Sequence, residues 1–315
     1  MTSTDTGANV IHEGVVPQEA RVRDLREPRA VSLWWLGAYL ALSGIVLAVG
    51  GHWRLAVLHA GGLLIIAHAL TSSGRAISRV GDLLPLFVAP LLYGEIPWLI
   101  AAVGTTYHDL LVQHWESALF GTQPSHMLAG SLPLGWLSEL LHAGYLAYYP
   151  AIFAPPLWLY LKGERRAFAE TVAALTVIYT LSWVLFVLMP VEGPRFLWSA
   201  PAGIPDGPIR RLALYVLAAG SSRGAAFPSS HMAVMVGQTV MALRWQRRVG
   251  WALSGLSVLV GVGAVYGGFH YAVDMIAGGI LGGVCAAVVL EHFRVDHVSS
   301  RQSLKWSATP FKPSS

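Results

Sequence analysis

Long, nearly uncharged apolar runs constrain this chain more than any other feature. A helix that crosses a bilayer needs about 20 mostly apolar residues, because each residue rises about 1.5 Å and lipid cannot satisfy a free backbone N–H or C=O. Eight stretches qualify, at approximately residues 31–50, 55–72, 83–103, 136–161, 168–189, 227–243, 249–268 and 271–290. Composition agrees: 54% of residues are hydrophobic and 12% charged, against about 25% charged in a soluble domain. The fold class read from this pattern is all-α, a polytopic membrane helical bundle of about eight transmembrane helices. The single cysteine, Cys285, allows no intrachain disulfide and no Cys cluster for zinc or iron–sulfur chemistry. A net charge of only +4 gives no reason to expect nucleic acid as a partner.

The charges orient the spans. With the N-terminus in the cytoplasm and every span crossing, 16 of the 21 Lys and Arg residues fall on the cytoplasmic side, among them Arg21, Arg23, Arg26, Arg165, Arg166, Arg247, Arg248 and Lys312. Only Arg54, Arg195, Arg210, Arg211 and Arg223 remain outside, as the positive-inside rule requires. The expected organisation is a disordered cytoplasmic tail (1–30), a two-span hairpin (31–72), a six-span catalytic core (83–291) and a second cytoplasmic tail (292–315). Both termini are then cytoplasmic in a multi-pass protein of the cell membrane. Between spans, residues 105–135 place Leu111, Val112, Trp115, Ala118 and Leu119 at helical spacing, with His108, Asp109, Gln113 and Glu116 on other faces. This predicts an interfacial amphipathic helix. Glu95, Glu139 and His142, on otherwise apolar spans, either contact headgroups or pair within the bundle, and pairing is the expected role.

Three fragments converge on the outer boundary in this topology: Glu192-Gly193-Pro194-Arg195-Phe196, Arg223 to His231, and Tyr266 to Asp274. In the second, Pro228 suits the first turn of a helix and leaves the N–H groups of Ser229, Ser230 and His231 at the positive end of the helix dipole, where anions bind. Pro-Ser-Ser is equally an ordinary helix start. Arg195 and Arg223 can add bidentate contacts to phosphate oxygens. In the third fragment His270 and Asp274 stand four apart, on one face of a helix beginning near Gly268. A carboxylate there holds one ring nitrogen and leaves the other as a nucleophile, or simply ties two helices. Together the parts fit phosphoryl transfer without a metal. The rival, a metal site made of His231, His270 and Asp274, sits poorly with arginines that repel a cation.

These fragments resemble the type 2 phosphatidic acid phosphatase superfamily. Its Pro-Ser-x-His motif is matched by Pro228-Ser229-Ser230-His231, and its His-x-x-x-Asp motif, followed by Ala-Gly, by His270 to Asp274 with Ala277-Gly278. The resemblance implies that His270 forms a phosphohistidine, Asp274 orients it, His231 protonates the leaving group and Arg195 binds phosphate. Tyr107-His108-Asp109, Leu119-Phe120-Gly121, Trp136-Leu137-Ser138-Glu139 and Gly193-Pro194-Arg195 look like the inositol phosphorylceramide synthase branch, which moves a phosphorylated headgroup between lipids. The likeness covers roughly residues 83–290. Two cations of the wider superfamily are replaced, by Val187-Leu188-Met189 upstream of Arg195 and by Gly263-Ala264. Arg223, with Arg210 or Arg211, is the expected substitute. Glu192, His108, Asp109 and Tyr271 complete the site as headgroup or auxiliary contacts, beside Ser229 and Ser230 as phosphate ligands.

The expected function is a metal-independent lipid phosphatase or phosphotransferase, acting on a lipid phosphate or phospholipid at the outer face, with no cofactor and no required oligomer. A transporter of lipid or anions, with an arginine-lined vestibule, is the reading from another class.

Overall fold

The computed structural model describes residues 27–72, 75–198 and 206–307. The rest of both expected tails lies outside the described residues, and with it Arg21, Arg23, Arg26 and Lys312. Fourteen α-helices occupy the described residues, with no strand among them. The N-terminal hairpin is α1 (Pro28–Val49) and α2 (Trp53–Thr71). Next come α3 (Arg75–Leu91), a 3₁₀ turn (Leu92–Glu95) and α4 (Ile96–Val103), which together form one span. The remaining helices are α5 (Asp109–Phe120), α6 (Pro124–Ser131), α7 (Gly135–Leu146), α8 (Tyr148–Leu161), α9 (Arg165–Leu188), α10 (Pro194–Leu197), α11 (Pro208–Gly220), α12 (Ser230–Trp245), α13 (Arg247–Tyr266) and α14 (Ala272–Ser307).

Among the described residues, six helical segments are long and apolar enough to cross a membrane. The stretch expected at 136–161 is interrupted: Pro150 has no N–H to offer the Leu146 carbonyl and its ring crowds that carbonyl, so the helix breaks at Ala147 into α7 and α8. The stretch at 227–243 becomes α12, of 16 residues, because the Ser229 side chain accepts the Met232 N–H and caps the helix three residues later than expected. At the other end of the chain, α14 runs helically to Ser307, well past the apolar stretch.

The bundle is organised around α9, which is buried along most of its length and packs against α1, α3, α12 and α14. The tightest seam joins α12 to α14. A Cβ at Gly278 would run into the Ser229 carbonyl, and one at Gly282 into the Ala233 carbonyl, so small residues let the two backbones touch. This closeness carries the Pro-Ser-Ser-His turn onto the start of α14. Gly282→Val is expected to cost about 1–3 kcal/mol by overpacking, and a thermal melt in detergent indistinguishable from wild type would show that the seam yields.

The three polar groups expected to pair within the bundle each have a partner. Glu95 accepts the Tyr39 hydroxyl at 2.8 Å and lies 2.9 Å from His59 Nε2, joining the hairpin to the third span. Glu139 accepts the Ile209 and Arg210 N–H groups at the start of α11, and His142 Nδ1 lies 2.6 Å from the Ser138 carbonyl.

Candidate functional site

Two loops and the start of α14 carry the three fragments to one place. Loop 189–194 and loop 221–229 run side by side, joined by a parallel bridge in which Val191 N–H donates to Gly224 O at 3.1 Å and Ala226 N–H to Val191 O at 3.0 Å. The Ser229 N–H donates to the Asp274 carbonyl at 3.0 Å, linking the second loop to α14. All three sequence fragments are thereby tied together by main-chain bonds.

His270 precedes α14 rather than lying on it, since α13 ends at Tyr266 and α14 begins at Ala272. The two side chains expected on one helix face therefore meet differently. Asp274, at the third helical position, reaches back to accept the Tyr271 N–H at 2.8 Å and lies 3.3 Å from His270 Nδ1, as the acidic member of a capping box does. His270 Nδ1 also lies 3.1 Å from the Ala226 carbonyl. Both neighbours are acceptors, so Nδ1 carries the proton and Nε2 keeps its lone pair. His270 and Asp274 are both buried, the latter completely.

His231 faces His270 edge to face, with ring centroids 5.6 Å apart. It is held among tyrosines: Tyr145 stacks on it at 5.2 Å, Tyr148 lies at 4.4 Å, and Tyr149 at 6.3 Å. The Tyr145 hydroxyl is 3.2 Å from His231 Nε2, while Nδ1 is buried with no partner. Tyr145, Tyr148 and Tyr149 escaped the sequence reading, although aromatic hydroxyls three and four apart on a span were a usable sign.

Arg195 stacks over Phe196 at 4.7 Å, and its Nη1 is buried without a hydrogen-bond partner. Burial pushes its pKa below the usual arginine range, against the pull of Tyr145, Tyr93 and Tyr149 nearby. A desolvated guanidinium with an idle nitrogen is a built anion contact. Arg223, expected as a second phosphate ligand, instead pairs with Glu192. Arg210 pairs with Asp206 at 3.0 Å and Arg211 is exposed. Pro228 does not open the helix, and the Ser229 hydroxyl and N–H are both spent on the protein itself. Among the expected ligands from that turn, Ser230 and His231 keep main-chain N–H groups at the N-terminus of α12.

The segment expected at the interface holds two helices, α5 and α6, and α5 turns the opposite way from a solvent-facing helix. Its polar residues Asp109 and Glu116 are buried against the site, while Leu110, Leu111, Trp115 and Leu119 are exposed. Asp109 accepts the Glu192 N–H at 2.9 Å, the Gly193 N–H at 3.0 Å and the Tyr271 hydroxyl at 3.2 Å. Gly193 sits at φ +92°, a conformation that favours glycine. Glu116, fully buried, accepts the Ala272 N–H at 2.8 Å and the Ser125 hydroxyl at 3.0 Å. Burial raises its pKa, and those two hydrogen bonds pull it back. His108 begins α5 and donates its N–H to the Pro190 carbonyl. Glu116 had been read only as part of a polar face.

A family model described as the PAP2 superfamily matches residues 111–288, more than half of the 315-residue chain. No curated protein and no solved structure gives a match.

Proposed function

Because the chain belongs to the PAP2 superfamily, whose members are in general phosphatases and phosphotransferases, we propose that it cleaves a phosphoester of a lipid through a phosphohistidine on His270. The observation that carries this reading is the pairing of two imidazoles 5.6 Å apart, one of them backed by Asp274, beside an Arg195 nitrogen with no protein partner. His270 Nε2 attacks phosphorus, and the bond to the leaving oxygen breaks. His231 protonates that oxygen, and then takes a proton from the incoming hydroxyl that attacks the phosphohistidine. Arg195 and the amides of Ser230 and His231 neutralise the equatorial oxygens. Asp274 holds the tautomer and stabilises charge on His270.

The charge around the site favours a phosphodiester. A phosphomonoester carries about −1.5 to −2, a diester only −1. With Arg223 paired through its Nε to Glu192, and with Asp109, Glu116 and Asp274 buried nearby, Arg195 brings to the site a buried guanidinium nitrogen that makes no hydrogen bond. A diester substrate leads to transfer of a phosphorylated headgroup to a lipid hydroxyl, the reaction of the inositol phosphorylceramide synthase branch. The catalytic unit is residues 83–291, flanked by the hairpin 31–72 and by cytoplasmic tails, with the site at the outer face.

Purified protein offered phosphatidic acid, an isoprenyl phosphate, and phosphatidylinositol with ceramide is expected to turn over the last mixture fastest. Release of inorganic phosphate from the monoesters at a higher rate would overturn the diester reading. No product from any of the three would favour the transporter. EDTA is expected to leave the rate unchanged, and a chelator-sensitive rate restored by a divalent cation would replace the metal-free scheme.

A further inference from the structure

Helix α5 touches all three catalytic fragments at once. Asp109, in its first turn, binds two consecutive amides, those of Glu192 and Gly193, the second of them two residues before Arg195, and also the Tyr271 hydroxyl. Gln113, one turn on, donates to that same hydroxyl at 3.0 Å. Trp115 packs on Phe227 with ring centroids 5.6 Å apart, next to the Pro-Ser-Ser-His turn. Glu116 takes the first amide of α14, two residues before Asp274. No other helix among the described residues makes side-chain hydrogen bonds to both the Arg195 loop and the His270–Asp274 turn.

Resting on the phosphohistidine reading, we propose that α5 is a bracket whose Asp109 and Glu116 carboxylates are positioning residues, setting Arg195 and the His270–Asp274 turn in register across the phosphate site. Neither carboxylate reacts with substrate. A buried carboxylate is costly unless its lone pairs are filled, and here three donors fill Asp109 and two fill Glu116. The oxygens of Asp109 each accept from a main-chain N–H, which fixes the direction of the loop as well as its distance. The other face of α5 is apolar and exposed, so immersion of that face in the membrane boundary holds the bracket from outside.

The two carboxylates differ in what an amide can replace. In Glu116→Gln the amide oxygen still accepts from Ala272 while the NH₂ donates to Ser125, so turnover is expected within about threefold of wild type, whereas Glu116→Ala loses about 10²-fold, the cost of a misplacement of about 1 Å. A catalytic acid or base at 116 would be silenced by both. In Asp109→Asn one oxygen becomes a donor facing an N–H, so about 10²-fold is lost. That loss acts through Arg195, so it is expected to shrink below about threefold when Asp109→Asn is made in an Arg195→Ala background.

The rates are read on full-length protein with the lipid of the three-member panel that wild type turns over fastest, each variant first checked by thermal melting. An equal loss from Asp109→Asn in both backgrounds overturns the bracket, as does a Glu116→Gln variant as inactive as Glu116→Ala. Where Asp109→Asn does not fold, Tyr271→Phe removes one of the three contacts and enters the same cycle with the same two outcomes. Where Glu116→Ala does not fold, the cycle at 109 decides. Wild type inactive on the whole panel is a different result: it removes the chemistry itself, and the bracket with it.

Discussion

Replacing the proposed nucleophile, in His270→Ala, is expected to lower turnover by at least about 10⁴-fold and to abolish the acid-labile phosphoenzyme. The size follows from what is lost. Nε2 of His270 keeps its lone pair, since Nδ1 is committed to Asp274 and to the Ala226 carbonyl. No neighbouring group can take over: His231 has its Nε2 on Tyr145 and sits on the leaving-group side of the proposed reaction. His231→Ala is expected to lose about 10²–10⁴-fold while still forming some phosphoenzyme, because removing an acid slows both steps without removing the covalent link. Rapid-quench trapping with radiolabelled lipid separates the two. A His270→Ala protein that keeps a tenth of wild-type turnover, or a phosphoenzyme that forms without His270, would take this histidine out of the chemistry.

Asp274→Asn comes next, at about 10³-fold. A triad carboxylate is worth about 10⁴ where it alone chooses the tautomer. Here the Ala226 carbonyl, 3.1 Å from Nδ1, holds the same proton, so the tautomer survives and the loss falls short of that figure. One oxygen, Oδ2, meets both the Tyr271 N–H and His270 Nδ1, so an amide oxygen in its place keeps both contacts but brings no negative charge to stabilise the positive charge that builds as the phosphohistidine forms. The expected signature is a fall in kcat with little change in KM, since the interaction strengthens in the transition state. A raised KM with kcat intact would assign Asp274 to substrate binding instead.

How much of this was readable beforehand differs from residue to residue, for physical reasons. The spans could be seen because the membrane imposes a length and a polarity on any helix that crosses it. Their interruptions were less visible, although Pro150 marks the break between α7 and α8 once the carbonyl four residues earlier is considered. His231, His270 and Asp274 are brought together as expected, but the route differs: the spacing suggested one helix face, whereas Asp274 reaches back from the third position of α14 to a histidine outside the helix. For Arg223 the spacing gave no sign of its protein partner. Whether an arginine meets phosphate or a nearby carboxylate depends on where Glu192 lands, and residues 31 apart in the chain carry no local sign of that pairing.

Helix α5 makes the contrast sharpest. Its apolar stripe and polar face were both legible, yet which face looks inward was not. Amphipathic spacing shows that a helix has two sides and leaves open which solvent each side meets. In water the apolar side would turn in; at a membrane boundary it turns out, and the carboxylates of Asp109 and Glu116 are left to bind the amides of the loops beneath.

Local chemistry along the chain was thus enough for the helical class and the placement of most apolar segments, and it marked His231, His270 and Asp274 as candidates, because hydrophobic length and short-range spacing are properties of contiguous residues. Which cation is idle, which carboxylate supports which loop, and how closely α12 meets α14 came only from the packed bundle, because each depends on partners distant in sequence that share nothing but a position in space.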